Sequence, residues 1–312
     1  VQLELDFEGA LDGELLERAA QTLIDRHASL RSGFVHENLD RPVQVVVPQA
    51  LAAWRMLDLA ALAEPERAAE LARVAAEDRS ARFDLARPPL MRFALFRLGV
   101  ARHRLLITNH HILMDGWSAP ILVRDLLALY ADNADPAALP PVPSCRLYPE
   151  WLATQDRAAA AEAWRSALAG LEEPTLLGPR DRARAPAMPE QITLTLDAAL
   201  SAALNQAARQ QGVTVNTVLQ AVWAVLLGRM TGHDDVVFGV TAAVRPPEIA
   251  GIESMIGLYI NTLPLRVTLP AAEPLSSLLR RIQDGKSRLI AHQHVGLAAI
   301  QERAGLGELF DT

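Results

Sequence analysis

Two stretches of this chain share one grammar: an alternating strand, followed at once by a helix that opens on an aspartate. Val1, Leu3, Leu5 and Phe7 alternate with Gln2, Glu4 and Asp6, the period of two that a strand buried on one face requires. Asp12 then stands as a helix cap, and Leu15, Leu16, Ala19, Leu23 and Ile24 recur at helical spacing to give one apolar stripe. The second instance is residues 191–196, read as a strand, and 197–210, a helix capped by Asp197 and ended by Gly212. Between the two lie Pro174, Gly178, Pro179, Pro186 and Pro189, punctuation dense enough to predict a boundary. The expectation is an α/β or α+β fold in two similar lobes, 1–172 and 190–312, joined by a linker at 173–189. The order resembles a duplication, although no residue-level repeat survives.

The rest of the chain fills in this frame. Strands are predicted at 42–47, 235–240 and 259–267, and a hairpin from 90–98 and 103–110. Helices are predicted at 64–79, 117–131 and 274–293. Residues 214–228 read as a nearly all-apolar helix, expected to be buried on most sides with Trp223 in the core. Half of the 312 residues are apolar and 21% are charged, which excludes general disorder. The net charge of −7 argues against a surface that tracks nucleic-acid phosphates. The longest clearly apolar run, 221–228, is far short of a membrane span, and no basic segment opens a signal peptide. A single cysteine, Cys145, makes neither an internal disulfide nor a thiolate metal site. The expectation is a cytoplasmic, compact protein with no nucleic-acid or membrane partner.

Chemistry concentrates at residues 109–118, Asn-His-His-Ile-Leu-Met-Asp-Gly-Trp-Ser. The stretch leaves a strand, crosses a loop and starts a helix. Neighbouring strand residues point to opposite faces, so His110 and His111 should diverge, and only one can face a reaction centre. A neutral histidine takes a proton near neutral pH, whereas Asp115 more naturally orients or pairs with a cation. Gly116 and the helix start after it offer backbone N–H groups to a developing oxyanion. No Gly-x-Ser-x-Gly element is present, which argues against an acyl-serine mechanism. Elsewhere, bland readings win. Arg26, His27 and Arg31 suit a helix C-terminus, His233-Asp234-Asp235 suits a solvated turn, and His292 and His294 point to different faces rather than to a metal. No metal site is expected, and no glycine loop of the Walker type calls for a nucleotide.

His110-His111-x-x-x-Asp115-Gly116 resembles the core motif of the condensation domains of nonribosomal peptide synthetases, within the chloramphenicol-acetyltransferase-like superfamily. Further segments carry the resemblance in the family's order. Residues 26–34, Arg-His-Ala-Ser-Leu-Arg-Ser-Gly-Phe, are similar to its Arg-His-x-x-Leu-Arg-Thr-x-Phe element. Residues 148–151, Tyr-Pro-Glu-Trp, are a looser match to Tyr-x-Asp-Tyr, and 256–262, Ile-Gly-Leu-Tyr-Ile-Asn-Thr, are close to Ile-Gly-x-Phe-Val-Asn-Thr. His292-Gln293-His294 partly matches a later His-Gln-Asp pattern. By this resemblance the family's first and last motifs lie outside the chain, which then corresponds to the middle of such a domain.

The resemblance implies two lobes set as a V around a tunnel. Through it the phosphopantetheine arms of a donor and an acceptor peptidyl carrier protein enter from opposite sides, with an adenylation domain adjacent in the same synthetase. No cofactor of the chain's own is implied. The acceptor amine attacks the donor thioester, and His111 either accepts the amine proton or holds the amine and tetrahedral intermediate by a hydrogen bond. His110 is implied to be structural. Asp115 is implied to pair with the arginine before a proline, here Arg245, in a Val244-Arg245-Pro246 segment where the family usually has Gly-Arg-Pro. Trp117, Ser118 and Asn261 are implied near the substrate tunnel. His110 and His111 argue against a heterocyclising member, and 116–118 with 261–264 favour a peptide-bond-forming member taking an L-configured donor. Two alternatives are a silent docking module that recruits a tailoring partner, and a free-standing acyltransferase.

Overall fold

In a computed structural model, the structure describes residues 1–178, 192–305 and 307–310. Contacts divide the chain into two compact units, Val1–Ala153 with Arg245–Tyr259, and Thr154–Val244 with Ile260–Thr312. This division differs from the expected lobes in two ways. The first break falls at 153/154, ahead of the proline-rich stretch, and the 245–259 segment packs with the first unit. Proline density marks where the backbone cannot be regular, whereas the division follows where side chains pack.

In the first unit, β1 (Gln2–Glu8), α1 (Gly13–Arg26), β2 (Ser32–Val35), β3 (Val43–Val46), β4 (Ala53–Asp58), α2 (Glu64–Ser80), β5 (Met91–Arg97), β6 (Arg102–Asn109), α3 (Ser118–Ala131) and α4 (Leu147–Thr154) follow in order. A four-stranded sheet runs β1-β6-β5-β4, with β4 parallel to β5 and the other pairs antiparallel. Leu3 faces Ile107 and Leu5 faces Leu105 across β1 and β6, so the alternation read in the sequence is the alternation that reaches the core. Asp12 caps α1 by accepting from the Leu15 N–H at 2.9 Å. Leu16, Ala19, Ala20, Leu23 and Ile24 of α1 are wholly buried and pack with Leu122, Leu126 and Leu129 of α3 and with Phe93 and Leu95 of the sheet. Strand β4 has no counterpart in the sequence reading, because its burial does not alternate cleanly.

His27 departs from its expected role as a helix-end cation. It is buried, and its Nε2 lies 3.0 Å from an Asp125 carboxylate oxygen on α3, with Arg26 and Arg124 on the same carboxylate. The Arg-His element is thus a polar clamp between α1 and α3.

The second unit contains α5 (Arg157–Leu168), α6 (Ala198–Gln211), α7 (Val215–Thr231), β7 (Asp235–Ala243), β8 (Ile260–Thr268), α8 (Leu275–Leu289) and α9 (Leu297–Ala304). The hairpin β7–β8 is antiparallel and packs on α7 and α8 through Val236, Phe238, Val267, Leu227, Leu278 and Ile282. Asp197 caps α6, and Gly212 ends it in the left-handed conformation, as its sequence predicts.

Two expectations fail in this unit. Residues 192–196 form no strand, and Ile192 is 96% exposed; Gln191 lies outside the described residues. Helix α7 is also not buried all round. Thr217, Ala221, Ala224 and Leu227 make its buried stripe, whereas Leu219, Val222, Trp223, Leu226 and Met230 are exposed. One narrow face of small residues seats the helix on the hairpin, so Trp223 is not a core residue. Of the expected linker, Gly178 and the residues before it are described, and Pro179 to Pro189 are not. Thr175 in that stretch is buried, with its hydroxyl accepting from the Val237 N–H at 2.7 Å.

Candidate active site

The site forms where β6 ends. His110 continues the ladder by donating its N–H to the Leu90 carbonyl at 2.9 Å, and the Leu113 N–H closes a tight turn onto the His110 carbonyl at 3.1 Å. Leu113 and Met114 are sunk into the core beneath, which fixes the loop from below. Asp115 then accepts from the N–H of Ser118, and α3 begins.

The two histidines do diverge, and their hydrogen bonds give them opposite tautomers. His110 Nδ1 accepts the Ile112 N–H at 3.1 Å, so its proton, when neutral, sits on Nε2. It stacks edge-on against Phe83, and burial lowers its pKa below the ordinary imidazole value. His111 is exposed, with Nδ1 lying 3.1 Å from the Met114 carbonyl. A carbonyl only accepts, so His111 Nδ1 carries the proton and the Nε2 lone pair is left for an incoming group. Among the described residues no protein group occupies that Nε2. Of the pair, only His111 presents a basic nitrogen outward.

Beneath His111 lies a buried ion pair. Arg245 Nη2 sits 3.1 Å from Asp115 Oδ1, with the Asp115 side chain wholly buried and that of Arg245 6% exposed. The Tyr259 N–H, the Ser118 N–H and the Ser118 hydroxyl also reach the carboxylate. Arg245 Nη1 donates to the Ile252 and Met255 carbonyls, and its guanidinium lies over the rings of Tyr259 and Trp117, at 4.6 and 5.6 Å. Burial pushes the Tyr259 phenol up to about 12, against the opposing pull of Arg245. The motif aspartate and the arginine before proline are thereby a fixed structural pair.

Gly116 is exposed. A Cβ there would meet nothing within 4 Å, and its φ is not in the left-handed region. Neither the backbone nor internal packing demands glycine at this position, and the space around its Cα is open. The other expected residues divide. Trp117 is half exposed and donates its indole N–H to the Glu253 carbonyl at 3.0 Å. Ser118, expected beside substrate, is instead wholly buried, with its hydroxyl bonded to Asp115, Gly257 and Arg245. Asn261 lies in the second unit, where both its amide hydrogens are committed to the Gln293 and Val295 carbonyls at 2.9 and 2.6 Å. Gly257 and Tyr259 received no role from the sequence, yet Gly257 closes on Asp115 and Ser118, and the Tyr259 N–H on Asp115. The signal was their place in the 256–262 element, which spacing alone does not convert into contacts.

A protein-family model described as "Condensation domain" matches residues 1–312. The chain is 40% identical over 307 residues to one of the linear gramicidin synthase proteins of Brevibacillus parabrevis, and 35% identical over 315 residues to tyrocidine synthase 2 of the same organism. These matches cover 96% and 100% of this chain, but 4% and 9% of those proteins. Among solved structures, the first condensation domain of the CDA synthetase matches with a TM-score of 0.80 at 25% identity, covering 100% of this chain and 74% of that one. The X-domain from teicoplanin biosynthesis matches with a TM-score of 0.81 at 29% identity, covering 99% and 70%. The motif order, the folded units and a family match over the whole length agree: the chain belongs to the condensation-domain family of the nonribosomal peptide synthetases.

Proposed function

We propose that this chain forms a peptide bond between two carrier-bound substrates, with His111 as the group that handles the amine proton. The observation that supports this most directly is the hydrogen bond from His111 Nδ1 to the Met114 carbonyl, which leaves Nε2 basic and outward. In the proposed step the acceptor's α-amine attacks the donor's thioester carbonyl. The C–N bond forms, the tetrahedral intermediate collapses with cleavage of the C–S bond, and the donor's acyl or peptidyl group passes to the amine. His111 Nε2 takes the proton that the amine gives up and returns one to the leaving thiolate, so the enzyme ends unchanged. Holding two tethered reactants at one point removes most of the translational cost of their encounter. The open space at Gly116, whose N–H has no partner among the described residues, suits the developing oxyanion.

In this reading the partners are donor and acceptor peptidyl carrier proteins, whose phosphopantetheine arms bring the substrates, and an adenylation domain that loads them. The chain supplies no cofactor of its own. Asp115 and Arg245 act as scaffold, Trp117 borders the site, and the donor is L-configured. A docking reading has one observation in its favour, the likeness to an X-domain that has also been solved as a complex with OxyB. Against it stand a retained His111, Asp115 and Gly116 in a geometry that serves proton transfer. The test uses acceptor carriers loaded with an amino acid and donors carrying either an L- or a D-residue, followed by intact mass. A peptidyl mass shift on the acceptor, faster with the L-donor, is expected. No shift with either donor, from a folded protein that binds the carriers, would turn the assignment to docking.

A further inference from the structure

One peptide unit joins the two halves of the site. The Met114 carbonyl accepts from His111 Nδ1 at 3.1 Å, and the N–H of that same peptide, on Asp115, donates to the Gly257 carbonyl at 3.1 Å. Because a peptide is planar, fixing its N–H end fixes the direction of its carbonyl. Gly257 is in turn held by a single side chain, through its N–H and beside its carbonyl. Its N–H donates to Ser118 Oγ at 3.1 Å, and its carbonyl lies 2.9 Å from the same oxygen.

Ser118 Oγ has four polar neighbours, the others being Asp115 Oδ1 at 2.7 Å and Arg245 Nη2 at 3.1 Å. The Gly257 and Arg245 N–H groups take its two lone pairs, and its one proton is shared between the closer Asp115 carboxylate and the Gly257 carbonyl, in a residue with no exposure. Nothing remains for a substrate. No larger residue fits at 257, since a Cβ there would come within 2.6 Å of the Tyr259 ring, which itself covers the Arg245 guanidinium.

We infer that Ser118 is a positioning residue for His111, acting through Gly257 and the 114–115 peptide to hold the imidazole in its Nδ1–H tautomer. The inference rests on the proposed role of His111 for its catalytic meaning, but the tautomer itself is independent of that role. Which ring nitrogen carries the proton is set by what the other nitrogen meets, and here that partner is a carbonyl whose direction Ser118 secures.

The test reads the ring directly. In protein labelled with ¹⁵N in histidine side chains, the His111 signals are assigned by their loss in His111→Ala. In the parent, Nδ1 should appear protonated and Nε2 bare. In Ser118→Ala the ring should shift towards a mixture with the Nε2–H form, and kcat for peptide transfer should fall about 10- to 100-fold with little change in KM. Ser118→Cys, which keeps a weak donor and acceptor, should lie between the two, and it carries the test if the alanine variant does not fold. A folded Ser118 variant with the parent's tautomer overturns the inference, whatever its activity. A tautomer shift in a protein whose parent transfers no peptide would uphold the relay and reject the proposed reaction.

Discussion

His110 and His111 are adjacent in sequence and opposite in chemistry, and the difference comes from one hydrogen bond each. A backbone N–H holds His110 Nδ1 bare, whereas a backbone carbonyl holds His111 Nδ1 protonated. The His110 arrangement is pH-sensitive. Burial depresses its folded pKa, so on acidification the unfolded chain takes up a proton before the folded one does. The stability that His110 protects is therefore complete above the unfolded value, near pH 6.5. It declines as pH falls through that value towards the lower folded pKa. Urea unfolding at about pH 7.5 and about pH 5.5 should show the parent losing more stability than His110→Asn, which keeps an acceptor but does not titrate. An equal loss in both would show that His110 carries none of the acid sensitivity. Gly116 makes a complementary case. With open space around its Cβ position, Gly116→Val should leave the unfolding midpoint nearly unchanged while peptide transfer falls at least about tenfold. Loss of stability in step with activity would mean that this glycine serves the fold. The divergence of the histidines was expected from strand alternation, but β6 ends at Asn109, and it is the turn closed by the Leu113 N–H onto the His110 carbonyl that carries His111 away. Their tautomers were not legible, because they depend on which backbone group the loop turns towards each ring.

At the scale of elements, the site is a loop between β6 and α3 closed from the side by the 245–259 segment. That segment lies about 130 residues further along the chain, yet it contributes the arginine, the glycine carbonyl and the aromatic cover. Asp115→Ala should cost about 3–5 kcal/mol, because it strands a buried guanidinium and leaves the Tyr259 and Ser118 N–H groups unmatched. Chemical denaturation of the parent and the variant measures this. A change below about 1 kcal/mol would place the pair among weakly coupled surface bridges. The elements themselves were largely legible where pattern and cap agreed, as in β1 with α1 and in α6. They were misread where composition stood in for packing. Helix α7 is mostly apolar, but its buried stripe is narrow: Ala221, Ala224 and Leu227, flanked by partly buried Val215 and Val218, pack in the cluster that holds the hairpin. Residues 192–196 alternate like a strand but have no described neighbour to pair with, and alternation without a partner makes no sheet.

For the whole molecule, membership of the condensation-domain family was legible because several short elements occur in the right order, not because any one of them is specific. The division of the chain was harder to see. Val244 and Ile260 belong to one unit and the residues between them to the other, an exchange that no local signal in the sequence records. In the proposed reaction, peptide transfer turns on His111, whose Nε2 is the base. The most direct measurement is the single-turnover rate of peptide transfer between loaded donor and acceptor carriers, compared for the parent and a folded His111→Ala at saturating carrier. The expected fall is about 10²- to 10⁴-fold, the range for loss of a positioned general base. Transfer at the parent's rate in His111→Ala would contradict that role, and the amine would then have to lose its proton elsewhere.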